Sequence, residues 1–195
     1  MALHIQIAAR RDFKSRDLWE MHTLRAKVFK DRLGWEVPIL SGMEIDGYDA
    51  LDPVYMMIRE PGGGMLRGCW RLLPTEGPYM LKDSFAQLLH GRPAPQDARI
   101  WELSRFAIET DGNSNFGFSD ITMESIAEII SHGHHLGLGQ YVTVTTTAIE
   151  RLLRRAGVVI QRIGEPLQIG IEKAVALTID VEATYAALFE YSLAS

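Results

Sequence analysis

The chain has 195 residues, 47% hydrophobic and 23% charged, enough apolar content to enclose a core and too much for a disordered chain. Its formal charge of −5 argues against a nucleic-acid partner, its single cysteine excludes an internal disulfide, and no segment approaches the roughly 18–20 apolar residues of a membrane span. Residues 1–13 show no apolar run followed by a small-residue cleavage site, so one cytoplasmic domain covering 1–195 is expected.

HIQIA, residues 4–8, alternates and predicts a first strand. Leu18, Met21, Leu24 and Val28 then recur at helical spacing, which predicts an amphipathic helix over 14–32. From Gly34 to Pro53 the periodicity stops and turn residues dominate, so a long loop is expected, and loops of that length are usually functional. PVYMMIR and LRGCWRLL read as two strands joined by EPGGG, a hairpin whose glycines supply positive backbone angles. A connector follows with a short helix around 83–90, then a strand over 100–109 and the loop DGNSNFGFSD. Ser119 or Asp120 can cap a helix that buries Met123, Ile126 and Ile130. YVTVT, residues 141–145, has the β-branched apolar character of an interior strand. TAIERLLRRAG is a helix ending at Gly157, and VVIQRIG and EKAVALTIDV are the closing strands. Strands interleaved with helices, with hairpins at both ends, predict an α/β protein with a mixed sheet.

The loop after the first helix carries Glu44, Asp46, Asp49 and Asp52. Acidic residues in such a loop ordinarily cap turns and face solvent. Here Arg25 and Lys27 precede them, while Arg71, Glu102 and Arg105 sit on strands that must cover a core and therefore need partners. An ion-pair network joining helix, loop and strands is expected, either structural or shaped for a zwitterionic substrate. Arg25 and Asp46 are expected to depend on one another. His132 and His135 are interrupted by Gly133 and Gly137 and have no ligand at zinc-like spacing, so no metal is expected and a solvent-facing helix end is. Cys69 in its strand reads as a small buried hydrophobe. Arg151, Arg154 and Arg155 form a local positive face, an ordinary solvated surface or a site for an acidic protein.

Arg25, Phe29, Trp35, Glu44, Asp46, Asp49, Arg71, Glu102 and Arg105 lie in order within LRAKVF, RLGW, MEIDGYDALDP, GCWRLLPTEGPYML and IWELSRFAI. FGFSD, VTVTTTAIERLLRRAG and LQIGIEKAVAL continue the pattern. Over nearly its whole length the chain resembles the acyl-homoserine-lactone synthases, the autoinducer synthase family, and most of all the members that make long-chain 3-oxoacyl products. The resemblance implies a three-layer αβα sandwich with a mixed, mostly antiparallel sheet, N-acetyltransferase-like, with a mobile helix-loop region over about 14–53. It implies that S-adenosylmethionine and an acyl group on acyl carrier protein are the substrates, with no cofactor. On that reading Glu102 and Arg105 are catalytic, with Glu102 as base; Arg25, Phe29, Trp35, Glu44, Asp46, Asp49, Arg71 and Phe106 bind substrate; Thr143, Thr145 and Thr146 read the acyl chain; and Arg151, Arg154 and Arg155 dock the carrier. A general N-acetyltransferase, with GHHLGLG as a degenerate cradle for CoA, and a non-enzymatic binding module are the competing readings.

Overall fold

A short chain of alternating residues pairs with a hairpin to begin the fold. The structure is a computed structural model that describes residues 3–109 and 120–190. Within it residues 3–72 and 105–109 form one compact unit, and 73–104 and 120–190 form a second.

In the first unit, β1 (His4–Ala9) is followed by α1 (Ser15–Ala26), whose axis continues through a π-helical turn, Lys27–Arg32. Met21, Leu24 and Val28 of the predicted stripe are buried, and Leu18 packs against them. The segment from Gly34 to Pro53 has more structure than its turn-rich composition suggests. A minimal hairpin joins β2 (Ile39–Leu40) to β3 (Met43–Glu44), and a 3-10 turn spans Gly47–Leu51. Ser41 and Gly42 both adopt positive φ, 50° and 80°, as a two-residue hairpin turn requires. β4 (Val54–Arg59) then lies between β1 and β5 (Leu66–Pro74), antiparallel to both. Phe13, Met21, Leu24, Phe29, Tyr55 and Met57 meet in one apolar core beneath these strands.

The second unit opens on the connector, where the helix predicted around 83–90 is instead two separate turns. These are α2 (Met80–Asp83) and a 3-10 turn over Ala86–Leu89. Ser84 and Phe85 between them terminate the first turn by donating to the Met80 carbonyl. β6 (Ile100–Ile108) crosses from the second unit into the first at Arg105. After α3 (Asp120–His135), β7 (Gln140–Thr146) runs parallel to the start of β6 and antiparallel to the later β10. Of the two predicted caps for α3, Asp120 opens the helix and Ser119 lies outside the described residues, as does most of the DGNSNFGFSD loop. α4 (Thr147–Arg155) follows with Thr146 as its N-cap, and β8 (Ile160–Arg162), β9 (Leu167–Ile169) and β10 (Glu172–Asp180) complete the strands. β9 and a final helix, α5 (Val181–Tyr185), extended by a π-helical turn, were not legible as separate elements. Except for β6 with β7, every pairing described is antiparallel, so the sheet is mixed and mostly antiparallel.

Gly133 does not interrupt α3; the helix runs through it, and Gly137 with φ of 70° sits just past its end. A glycine is needed there because Tyr141 lies over that turn: a Cβ on Gly133 would come within 2.6–2.9 Å of its ring and hydroxyl. The hydroxyl in turn donates to the Ile129 carbonyl, pinning β7 to α3. Gly133→Ala is expected to cost about 1–2 kcal/mol net, because the strain of overpacking exceeds the helix propensity gained. Urea unfolding of the variant, beside Tyr141→Phe, checks this; a stabilised Gly133→Ala protein would refute it.

Candidate active site

The site begins with a guanidinium that has nowhere to go but inward. Arg25 follows Leu24 on the buried side of α1 and is itself fully buried. An unpaired charge there would be prohibitive, so its fork must be met by carboxylates. The loop supplies them. Arg25 Nε donates to Glu44 Oε2 at 2.5 Å, while Nη1 and Nη2 donate to the two oxygens of Asp49 at 2.8 and 2.9 Å. Asp49 Oδ1 also accepts from Tyr55 Oη at 2.6 Å and from Arg71 Nη1 at 2.9 Å. Arg71 spans on to both oxygens of Asp46, at 2.5 and 3.0 Å. Arg105 closes the network, with Nε on Glu44 Oε1 at 3.1 Å and Nη2 on Asp46 Oδ2 at 2.9 Å.

Three guanidiniums and three carboxylates thus make a frame with no formal net charge. The expected coupling of Arg25 with Asp46 is corrected: Arg25 pairs with Glu44 and Asp49, whereas Asp46 belongs to Arg71 and Arg105. The turn-capping reading of the acidic loop also holds in part. Asp46 accepts from the Tyr48 N–H and Asp49 from the Asp46 N–H, a reciprocal cap of the 3-10 turn. One pair of carboxylates therefore shapes the loop and neutralises the core together.

The charges reinforce each other. Burial works to raise the Asp49 carboxyl, but Arg25 and Arg71 outweigh it and hold the group well below the usual carboxylate range. Burial likewise opposes the charge on Arg25 and on Arg71, yet their carboxylates raise both above the ordinary arginine value. Tyr55 is raised by burial and by facing Asp49, which keeps its hydroxyl a donor.

Aromatic rings flank one edge of the frame. Phe29 and Trp35 stack with centroids 5.4 Å apart, and the Arg105 guanidinium lies 5.6 Å from the Phe29 centroid. Trp35 is therefore half-buried and braced. Arg71 similarly lies 5.4 Å from the Tyr48 ring, and Phe106 packs on Trp70 at 4.3 Å. Arg105 adopts φ of 57°, a left-handed conformation in the middle of a strand that an L-residue keeps only when its surroundings impose it. Glu44, Asp46 and Phe29 are those surroundings.

Two residues of this site carry no signal in the sequence. His22 is buried one helical turn before Arg25, and its Nδ1 donates to the Glu44 carbonyl at 2.9 Å, which assigns the tautomer. Burial, then Arg25, lowers its pKa, so it stays neutral. Tyr55 sits among the apolar residues of β4 and reads as core, yet its hydroxyl donates to Asp49.

The remaining candidates lie in the second unit. Glu102 is buried, and its carboxylate accepts from the Met80 N–H at 3.0 Å and the Leu81 N–H at 2.7 Å, closing the first turn of α2. Thr143 and Thr145 share one face of β7, opposite Leu177 and Val175 of β10, while the Thr146 hydroxyl accepts from Ile149 N–H as the cap of α4. Arg151 and Arg155 are exposed; Arg154 is tied to Glu150 and to the Ile160 carbonyl. Among the described residues no cluster of three or more His, Cys, Asp or Glu side chains could hold a metal ion, and no helix is long and apolar enough to cross a membrane. Cys69 is buried and its thiol is pushed up to about 12 by that burial, as an unreactive core residue should be.

A family model described as autoinducer synthase matches residues 10–187. An acyl-homoserine-lactone synthase of Pseudomonas aeruginosa is 49% identical over 180 residues, 92% of this chain and 90% of that one. The crystal structure of the synthase LasI superposes with a TM-score of 0.89 at 48% identity, covering 97% of this chain and 95% of that one. The CoA-dependent synthase BjaI, in a structure with SAM and isopentyl-CoA, gives a TM-score of 0.86 at 26% identity, over 97% of this chain and 89% of that one. An acyl-CoA N-acyltransferase of Pseudomonas aeruginosa shares the fold alone, with a TM-score of 0.58 at 13% identity over 91% of this chain and 99% of that one.

Asp49→Asn is expected to cost about 3–5 kcal/mol, since it strips a buried pair of one charge. Because the native carboxyl is depressed, its contribution is fully present above the unfolded value, about pH 4, and is lost as pH falls from there toward the native value. The Asn variant should therefore show a shallower loss of stability below pH 4 than the parent chain. Chemical denaturation at a series of pH values measures both quantities, and parallel acid profiles would remove Asp49 as the linked group.

Proposed function

The chain belongs to the autoinducer synthase family, and we propose that the frame around Arg25 is the wall of its S-adenosylmethionine site. As an acyl-homoserine-lactone synthase it joins S-adenosylmethionine to an acyl group and releases methylthioadenosine. That substrate carries an ammonium, a carboxylate, a sulfonium and an adenosine, so its site calls for both signs of charge and a ring face. The observation that supports the assignment is a graded exposure inside the frame. The side chains of Arg25, Glu44, Asp49 and Arg71 are 0–3% exposed, whereas Arg105 and Asp46 are 12% and 10% exposed. We assign Arg105 to the substrate carboxylate, Asp46 to its ammonium, and the Phe29–Trp35 stack to its cationic end. The other four hold these two in place.

Chemistry then proceeds in two steps. The ammonium gives one proton to the base and attacks the thioester carbonyl as the free amine; the C–N bond forms, the C–S bond breaks, a second proton passes from nitrogen to the departing thiolate, and the proton held by the base is released to solvent. The substrate carboxylate next attacks its own γ-carbon and expels neutral methylthioadenosine, needing no base because the sulfonium is already a good leaving group. What the second step needs is geometry, and a carboxylate held by Arg105 supplies it. We assign the base of the first step to Glu102, a buried carboxylate anchored by the Met80 and Leu81 N–H groups. We place a water between the amine and this carboxylate as the relay of the proton.

We further propose a 3-oxoacyl chain delivered on acyl carrier protein. We assign Thr145 as the reader of the extra carbonyl: it shares a face of β7 with the buried Thr143 and is itself half-buried, whereas the Thr146 oxygen accepts from Ile149 N–H as the cap of α4. Carrier delivery is favoured by the exposed Arg151 and Arg155 on an otherwise acidic chain.

Mass spectrometry of products from S-adenosylmethionine with a panel of 3-oxoacyl and unsubstituted chains, each offered on carrier protein and on CoA, tests this reading. Lactones formed faster from carrier-bound 3-oxo chains are expected, and Thr145→Val should erode that preference selectively. Preference for CoA donors would overturn the carrier assignment. For the base, Glu102→Gln should reduce acylation about 100-fold or more. Its melting point must be read beside the rate, because the new amide NH2 faces a backbone N–H. Retained acylation in a folded variant would place the base elsewhere.

A further inference from the structure

The second unit contains another carboxylate buried among arginines, and it is arranged the opposite way. Glu150, in the first turn of α4, is 3% exposed. Arg162 of β8 grips it with both arms of its fork, Nε on Oε1 and Nη2 on Oε2, each at 2.9 Å. Arg154, one turn along α4, adds Nη2 on Oε1 at 3.2 Å and reaches the Ile160 carbonyl with Nη1 at 3.3 Å. The carboxylate is hidden, but the side chains of Arg154 and Arg162 remain 51% and 39% exposed. Neutralising one buried carboxylate takes one arginine. A second, converging on the same oxygen, leaves a net positive charge fixed at the surface.

Resting on the reading of Arg151, Arg154 and Arg155 as a docking face, we propose that this face extends across to Arg162 and that Glu150 is its positioning residue. The occupant is the acidic face of the carrier protein. Four features support that partner. Arg151 and Arg155 are exposed and four residues apart on α4, so they present charge one helical turn apart, as the carboxylates of a facing acidic helix are spaced. Arg154 and Arg162 are pinned in single orientations before any partner arrives, so less side-chain freedom is lost on docking. Arg92 adds a cation beside them, since it donates to the carbonyl of Ile163, the residue after Arg162. The chain as a whole carries −5, so an acidic partner is repelled in general and drawn to the place where arginines gather. Glu165, 85% exposed and 3.8 Å from Arg162, is the one acidic side chain that pairs with this group from the solvent side among the described residues. Its exposed position lets an incoming carboxylate displace it.

The test uses the full chain with one acyl group presented in two ways, on acyl carrier protein and on pantetheine, which lacks any acidic face. Arg162→Ala and Glu150→Gln are each expected to raise KM for the carrier about fivefold, to leave KM for S-adenosylmethionine and turnover of the pantetheine donor unchanged, and to flatten the salt dependence of carrier KM. Arg151→Ala with Arg155→Ala serves as the reference for docking itself. If that pair raises carrier KM while the Arg162 and Glu150 variants do not, docking stands and the role of Glu150 falls. If none of them changes carrier KM, the docking reading fails and this proposal with it. If Glu150→Gln slows both donors equally, Glu150 is only structural and the proposal is overturned. Should Glu150→Gln fail to fold, Arg162→Lys decides: it keeps the charge but loses the two-armed grip, and an unchanged carrier KM would overturn the positioning role.

Discussion

The structure of the first unit depends on the desolvation of one guanidinium. Arg25 lies on the face of α1 that the apolar stripe drives into the core, so burying Met21, Leu24 and Val28 drags a charge inward with them. The cost of an isolated charge there would be larger than the whole stability of an ordinary domain. The chain therefore has to return with carboxylates at the right depth, and the segment from Gly34 to Pro53 does so. Its small hairpin sets Glu44 against Nε, and its 3-10 turn brings Asp49 against the two terminal nitrogens. The loop has its shape because a cation waits beneath it.

Once Arg25 is answered, the rest of the frame follows from counting charges. Glu44 and Asp49 alone would leave a surplus of negative charge, and Arg71 from β5 offsets it while bringing in Asp46. Asp46 in turn is offset by Arg105, whose left-handed backbone is the one local strain in the arrangement. A network assembled this way contributes little net stability, because the attractions mostly repay desolvation. Its value is fixed geometry: each oxygen has its donor, so the two partly exposed members are held without slack. The Glu150 cluster in the second unit obeys the same electrostatics with the proportions reversed. One buried carboxylate and two exposed arginines give a surface charge instead of a neutral core.

The sequence carried the long elements well, because they are written in periodicity. The stripe of α1, the alternation of β1 and the β-branched run of β7 each report burial directly. The short elements were lost for a physical reason. β2 and β3 have two residues each, too few for a period, and α2 exists only because Glu102 receives its first N–H groups from elsewhere in the chain. At the site, residue types were legible and pairings were not. Three arginines and three carboxylates can be matched in several ways, and the turn at Ser41 and Gly42 decides that Glu44 and Asp49, not Asp46, face Arg25. His22 and Tyr55 were invisible because each sits among apolar residues and looks like core. Both are core, and both spend a polar atom holding the loop.

The same interactions move several of these groups away from the neutral range. Asp49 is pushed down, Arg25, Arg71 and Tyr55 are pushed up, and His22 is kept neutral, so each moves away from the neutral range rather than into it. Burial and its arginine neighbours act to lower Arg105, but a guanidinium starts so high that it stays charged. On the proposed reading of the frame as a substrate wall, the other five groups keep their protonation states while the substrate amine gives up its proton. That reading expects the pH dependence of catalysis to follow the amine and its base rather than Asp49, Arg25, Arg71, Tyr55 or His22. Lysine at these positions would forfeit this property, because a buried ammonium readily loses its proton and cannot span two carboxylates with one planar fork.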